Sequence, residues 1–472
     1  MKNFFQIIIY IFINLNLYES IIVLPLYRIN PYKNITSIYE FINDLQPNNL
    51  YTKLKIGGPA QEIKVVIKEE EMAFSINSLY CNFESFYNRN ESKTFVNLTK
   101  FWETNFNIYD SCRAQETFRA YTDQELKTEK KLEKMKFVYQ KEKMKNINGA
   151  EKYCNCGVLN LQLGNYEIDP KKEFDFIFQL KQNDYINDYA WTIVFNETTN
   201  TNNEFEGYLL IGDYPHVYDD SYHENNLRTI LDNLSENGWN LEFKTITTKN
   251  ISLTHYMTSV ISFSTSFILG TEEYKSQIGR LFFNKYTSNG TCFEDSYSSH
   301  FITYYCLTKK FNKTDIDSFP SLNFYHYQYN FTFSLNGSDL FLERGGHYYF
   351  LVLFDRYDYR KWTFGKIFLK KYPLIFNPDS KMVGVYVERN KKEEDDGGYN
   401  GPKITRKNFV VVLIVIGILS FVIGIVLGSI VYSNQRKKSA NEMKDEYLCN
   451  NDIPSDNPQE QKSNEIANII IN

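Results

Sequence analysis

The side chains able to do chemistry are spread thinly along this chain of 472 residues. Two short stretches stand out because each follows an apolar run. Lys68-Glu69-Glu70-Glu71 comes after Val65-Val66-Ile67, and Ser262-Phe263-Ser264-Thr265-Ser266 comes after Val260-Ile261. A carboxylate at a strand end can act as acid or base, because burial and neighbouring charge tune its proton affinity. Serine and threonine hydroxyls donate and accept hydrogen bonds but do not serve as bases near neutral pH. The six histidines (His216, His223, His255, His300, His326, His347) show no ligand spacing. Cys154-Asn155-Cys156 is one residue short of a Cys-x-x-Cys pair. No phosphate-cradling glycine loop and no serine nucleophile elbow occurs. The sequence therefore implies neither a cofactor nor a metal.

The elements that hold these stretches read as strands. Tyr and Phe number 37 each, and the aromatic share is 17%. With abundant Ile and Thr, this composition suits strands better than helices. The length is enough for two lobes with their own cores. A net charge of −5 leaves neither sign dominant, so nucleic acid is not expected as a partner. The alternating charges from Lys127 to Lys145 read as a solvated hairpin or helix face.

Hydropathy sets an expected topology. Met1-Lys2-Asn3 precedes an apolar run from Phe4 to about Ile13 and a polar exit, which together describe a secretory signal peptide, assigned to residues 1–25. Phe409 to Tyr432 carries no charge and exceeds the roughly 20 residues a membrane helix needs. Arg436-Lys437-Lys438 follows it, but Lys403, Arg406 and Lys407 precede it, so charge alone does not orient the span. The signal peptide does: a lumenal or extracellular body, one crossing at residues 409–432, and a polar cytosolic tail at 433–472. Residues 391–408 are charged and Gly-rich at their start and read as a stalk. The expected localisation is the secretory pathway or cell surface.

Sequons and cysteines fit that topology. Asn-x-Ser/Thr sequons at Asn34, Asn90, Asn97, Asn196, Asn233, Asn250, Asn289, Asn312, Asn330 and Asn336 all precede the span. Cys81, Cys112, Cys154, Cys156, Cys292 and Cys306 also precede it, an even set that fits three disulfides in an oxidising compartment. Cys449 is left on the cytosolic side. Within the span, Ser420, Gly424 and Gly428 recur every fourth residue, the small-residue stripe that lets two helices approach and form a homodimer.

Several fragments, in order, resemble the pepsin-like aspartic proteases. Ile56-Gly57-Gly58-Pro59-Ala60-Gln61 and the strand Val65-Val66-Ile67 are similar to the family's opening turn and first catalytic strand. Gly157-Val158-Leu159-Asn160-Leu161 is similar to its Gly-Ile-Leu-Gly-Leu strand. Phe178-Gln179-Leu180 and Trp191 to Phe195 resemble the following helix and strand, and Gly207 to Gly212 the next hairpin strand. Trp239-Asn240-Leu241 resembles the strand opening the second lobe. Val260 to Gly270 is similar to the second catalytic loop, and Trp362 to Leu369 to the family's Trp-x-Leu-Gly-Asp-x-Phe-Leu strand, with Lys366 in place of its Asp. Phe376 and Val383-Gly384-Val385 resemble the closing hairpin. The resemblance covers roughly residues 48–387. It implies an all-β, bilobal, pepsin-like double β-barrel ectodomain, with lobes at 26–225 and 226–390, followed by one transmembrane helix. It also implies a second-lobe disulfide between Cys292 and Cys306, whose loop would contribute about 3 kcal/mol in the chain-entropy model.

The same resemblance implies that the chemistry is missing. The family's two carboxylates share one proton, one acting as acid and the other as base. Its Asp-Thr-Gly falls here on Lys68-Glu69-Glu70, and the second Asp position falls on Ser262, with Phe263 and Ser264 after it. No Asp-Thr-Gly or Asp-Ser-Gly occurs anywhere. A one-residue slip that promoted Glu69 would flip the faces of its strand. The family's flap tip is matched by Tyr121-Thr122-Asp123-Gln124-Glu125, which lacks a glycine. The expected function is a membrane glycoprotein that holds a peptide or protein in its interlobe cleft without cutting it. The rivals are an active aspartic endopeptidase, as the family implies, and a structural surface glycoprotein without ligand.

Overall fold

The computed structural model of the chain describes residues 21–28, 40–41, 50–68, 74–78, 87–99, 111–140, 144–145, 151–152, 156–161, 173–196, 205–219, 221–231, 239–249, 251–296, 301–355, 362–387, 424–425 and 427–437. Among these residues two large sheets dominate, of 13 and 11 strands. The strands are built from alternating side chains, as a sheet with one covered face requires. In Leu50–Ile56, for example, Leu54 and Ile56 are fully buried while Lys53 and Lys55 reach solvent in part. The helices between the strands are short, and some are capped by a side chain. Asp175 accepts the Phe178 N–H at 2.7 Å and starts Phe176–Gln182, which buries Phe176, Ile177 and Leu180.

The 13-stranded sheet is shared between the two halves of the chain. Leu227–Leu231, Met382–Tyr386 and Leu374–Asn377 come from beyond the expected lobe boundary, yet they lie at one end of it and join Trp191–Phe195 from before it. Phe205–Ile211 and Ile22–Arg28 come next, followed by the first-lobe strands out to Val96–Thr99. The lobe boundary expected at residue 226 therefore does not separate the sheets. The 11-stranded sheet is built between Asn240–Thr248 and Trp362–Phe364. In it Cys292 and Cys306 stand opposite each other in an antiparallel pair and are disulfide-bonded.

Two local expectations change. Residue 25 falls inside Ile22–Arg28, which pairs with Phe205–Ile211 from Ile22↔Ile211 to Tyr27↔Phe205 and buries Ile22, Val23 and Leu24. A leader that is removed must therefore end before Ile22. The polar exit Asn14 to Ser20 separates the apolar run at Phe4–Ile13 from this strand, so the expected bound at residue 25 lies too far along. Second, Trp362 to Leu369 is not one strand: Trp362–Phe364 is, but Gly365 caps a helix at Lys366–Lys371. The charged run after Lys127 forms one strand of a hairpin, Glu129–Gln140, as expected, with Lys131, Glu133 and Lys134 exposed and Leu132, Met135 and Phe137 fully buried between them.

A buried imidazole gives the second sheet a pH dependence. His326 is fully buried, accepts the Tyr329 N–H on Nδ1 at 3.3 Å, and lies 4.3 Å from the Tyr329 ring and 5.7 Å from Phe243. Among the described residues its Nε2 has no hydrogen-bond partner. Burial pulls its pKa down to about 4. The unfolded chain takes up this proton near pH 6.5, so stability falls as pH drops from there to about 4, by roughly 3 kcal/mol in total. Denaturant unfolding at pH 7 and pH 4 should show this loss, and His326→Phe should remove it from the difference between the two pH values.

Candidate functional site

The two stretches lie on two strand units of the same design. In the first, Gln61–Lys68 is followed in sequence by Ser75–Ser78, and Cys156–Asn160 inserts between them. The inserted strand runs parallel to the first, with Gly157↔Val65, Leu159↔Ile67 and Asn160↔Lys68, and antiparallel to the other. In the second unit, Ile251–Ile261 is followed by Ile268–Gly270, and Trp362–Phe364 inserts between them. Here Ser259↔Trp362 and Ile261↔Phe364 are parallel pairs, while Ile268↔Phe364 is antiparallel. Matching Ile67/Leu159 with Ile261/Phe364 places Lys68 and Ser262 at corresponding points, each the next residue along. Asn160 then corresponds to Gly365, and Leu161 to Lys366.

The backbone at these points is fixed. Leu161 N–H donates to the Lys68 carbonyl at 3.0 Å, and Ser262 N–H donates to the Phe364 carbonyl at 2.9 Å. Lys366 N–H donates to the Thr265 carbonyl at 2.9 Å, which ties the second loop to the helix start. Gly365 is required by close approach: a Cβ there would lie 2.2 Å from the Phe267 carbonyl oxygen and 2.4 Å from that of Thr265. At the matching first-lobe place the chain carries the buried Asn160 instead.

The chemistry offered by the second loop is that of hydroxyls. Ser262 is half-buried, and its Oγ lies 3.1 Å from the Ser264 Oγ. Residues 262–267 contain no carboxylate. Phe263 turns inward and is buried, its ring 5.2 Å from Trp191 and 5.3 Å from Phe376. Trp191 stacks on Phe376 at 4.4 Å, and Trp239 closes the cluster 4.9 Å from Phe376. This aromatic cluster joins strands from both halves of the chain. Lys68 ends its strand half-buried. Glu69, Glu70 and Glu71 lie outside the described residues.

The residues after the matched pair each cross between the lobes. The Leu161 carbonyl accepts the Trp239 indole N–H at 3.2 Å. The Lys366 ammonium pairs with Glu206, which also pairs with Arg28 Nε at 3.2 Å, and all three side chains are mostly buried. Burial pulls the Lys366 ammonium below the usual lysine range, and Glu206 partly opposes this. Lys366 was legible in the sequence as a departure, but its partner was not. The one available signal was a glutamate beside Phe205 in an otherwise apolar strand.

The flap expected at Tyr121 is a hairpin. Ser111–Tyr121 pairs with Glu129–Gln140, ending at Tyr121↔Glu129. Thr122 N–H donates to the Thr128 carbonyl at 3.0 Å, and the Asp123 carboxylate accepts the Lys127 and Thr128 N–H groups at 3.2 and 2.7 Å. The side chain of Asp123 thus closes a turn in which the family uses glycine. The Tyr208 hydroxyl donates to the Gln124 carbonyl at 3.0 Å and ties the tip to the Phe205–Ile211 strand.

One carboxylate escaped the sequence reading. Glu116 is 1% exposed and accepts the Tyr87 hydroxyl at 2.5 Å, the Ser92 hydroxyl at 2.7 Å and the Thr117 N–H at 2.8 Å. Burial, reinforced by Glu116, pushes the Tyr87 phenol well above its usual range. Ser92 Oγ in turn accepts the Gly58 N–H at 3.2 Å. With its oxygens engaged this way, Glu116 fastens the Gly57-Gly58-Pro59 turn to the hairpin; it is not presented to a ligand.

Among the described residues no cluster of three or more His, Cys, Asp or Glu could hold a metal. Cys81 and Cys154 lie outside the described residues. Cys112 and Cys156 belong to strands, but their side chains lie outside the description. Asn90, Asn97, Asn289, Asn312, Asn330 and Asn336 are exposed and Asn196 is half-buried, whereas Asn34, Asn233 and Asn250 lie outside the described residues. Gly424 and Gly428 are on helical backbone and a Cβ at either meets nothing, while Ser420 lies outside. Among the described residues no helix is long and apolar enough to cross a membrane.

No protein-family model matches the sequence, and no curated protein matches it. In backbone shape it matches 385 chains of solved structures. One is the crystal structure of basic 7S globulin from soybean, at TM-score 0.53 and 11% identity, covering 78% of this chain and 96% of that one. Identity this low shows the fold and nothing finer. The mostly-β, two-lobed body of this chain has a pepsin-like fold.

Proposed function

We propose that this chain is a membrane-anchored, pepsin-like protein that binds a peptide or protein segment in its interlobe cleft without cleaving it. The observation that carries the proposal is the pair of matched points, Lys68 and Ser262, at the ends of two otherwise intact strand units. In a pepsin-like fold those points would carry the two carboxylates that share a proton. A lysine brings a cation where an acid is needed, and a serine hydroxyl cannot accept the proton of an attacking water. Phe263 adds to this. Where the family has a small hydroxyl residue, a buried phenyl ring packs into the seam.

The topology proposed with this function is single-pass, with the body lumenal or extracellular and the tail cytosolic. It rests on the apolar run Phe409 to Tyr432 and on the apolar N-terminal segment. In the described helix at residues 427–437, Leu427, Ile430 and Val431 are more than half exposed, as lipid-facing residues are before lipid covers them. The stripe Ser420, Gly424 and Gly428 is proposed to pair two copies; Gly424→Leu with Gly428→Leu should abolish crosslinked dimers.

The binding proposal is tested by passing a diverse peptide library over immobilised protein at pH 4 to 7.5. Elution of a selected, intact subset supports it. Absence of any retained peptide would leave a structural surface glycoprotein as the better account.

A further inference from the structure

The 13-stranded sheet ends at Val96–Thr99, and among the described residues this strand pairs on one side only, with Ser111–Tyr121. Its register slips between Asn97 and Thr99, and among the described residues nothing pairs with its other side. An edge strand presents unpaired N–H and C=O groups to any second chain, and apolar side chains make such pairing more favourable. Val96 is 44% and Leu98 39% exposed, and the strand holds no charged residue. The opposite end of the same sheet differs: Leu227–Leu231 shows Arg228 and Thr229 to solvent, the usual charged protection of an edge. Between the two exposed apolar residues of the unprotected edge stands an exposed Asn97, and Asn97-Leu98-Thr99 is an N-glycosylation sequon.

We infer that Asn97 carries an N-linked glycan whose task is to cap this edge and keep two copies from pairing through it. The inference rests on the proposed lumenal placement of the body. In the modification, the Asn97 amide nitrogen bonds to the anomeric carbon of a lipid-pyrophosphate-linked oligosaccharide. The bond from that carbon to phosphate breaks, the lipid pyrophosphate leaves with the electron pair, and the amide proton passes to a base. A bulky hydrophilic glycan at the centre of a four-residue edge blocks approach of a second strand. It does at this edge what Arg228 does at the other.

The full chain is made in a secretory eukaryotic host, and occupied asparagines are mapped by enzymatic deglycosylation in heavy-oxygen water and peptide mass spectrometry. Light scattering then compares wild type with Asn97→Gln, Thr99→Ala and a control, Asn289→Gln, whose sequon lies in a turn. The expected result is an occupied Asn97. Asn97→Gln and Thr99→Ala should each gain one step of self-association over wild type and control, and adding Val96→Lys and Leu98→Lys should reverse it. Glycans at other sequons with Asn97 bare would overturn the inference alone, as would an occupied Asn97 whose removal leaves association unchanged. A chain with no glycan at any sequon would overturn both the inference and the lumenal placement.

Discussion

Replacing Glu206 by Gln will lower the stability of the chain by about 3–5 kcal/mol, the usual cost of removing one partner from a buried ion pair. Glu206 holds two cations, Arg28 from its own lobe and Lys366 from the other. Its removal leaves two mostly buried positive charges facing each other without their shared carboxylate. Lys366→Met should cost far less, because the Arg28–Glu206 pair remains and an apolar chain of similar length still covers the Phe195 ring beneath it. Urea unfolding of the three proteins measures both values. Equal losses in the two variants would mean that Lys366, and not the shared carboxylate, organises the contact.

Trp191→Ala will cost a similar amount, about 3–5 kcal/mol, as large aromatic truncations in packed cores do. The indole is fully buried and touches Trp239, Phe263 and Phe376 at centroid distances of 6.2, 5.2 and 4.4 Å. Its own strand, Trp191–Phe195, pairs with Leu374–Asn377 from the other half of the chain. The cavity would open at the seam between the lobes, so thermal unfolding should lose cooperativity as well as midpoint. Trp191→Phe should be much milder: among the described residues the indole N–H has no hydrogen-bond partner, so its loss leaves no described acceptor stranded. A mild Trp191→Ala would show that the seam repacks and does not fix the lobes.

What the sequence made legible was local. The apolar strands before Lys68 and Ser262, the helix at Phe176–Gln182 and the strand at Trp191–Phe195 can each be seen in a short window of residues. Their order along the chain was enough to point to the fold. The contacts that join the lobes could not be read this way. Glu206 and Lys366 meet across 160 positions, and no periodicity connects them. Leu374–Asn377 and Met382–Tyr386 look like any other short strands, and only the folded chain shows them completing a sheet begun by Ile22–Arg28 and Phe205–Ile211. The Ile22–Arg28 strand was hidden for another reason: its apolar residues lie close behind the apolar N-terminal run and read as part of the same segment. Phe263 was visible as a substitution, but its inward turn depends on Trp191 and Phe376, which stand more than 70 positions away on either side.

The central claim is that the cleft binds without cutting, and one experiment addresses it most directly. The purified protein is incubated with a diverse peptide library from pH 3 to 7.5, with and without pepstatin, and the peptides are followed by mass spectrometry over time. Peptides recovered intact at every pH are the expected result. Cleavage products that pepstatin suppresses would contradict the account, because they would require a working acid pair where Lys68 and Ser262 stand.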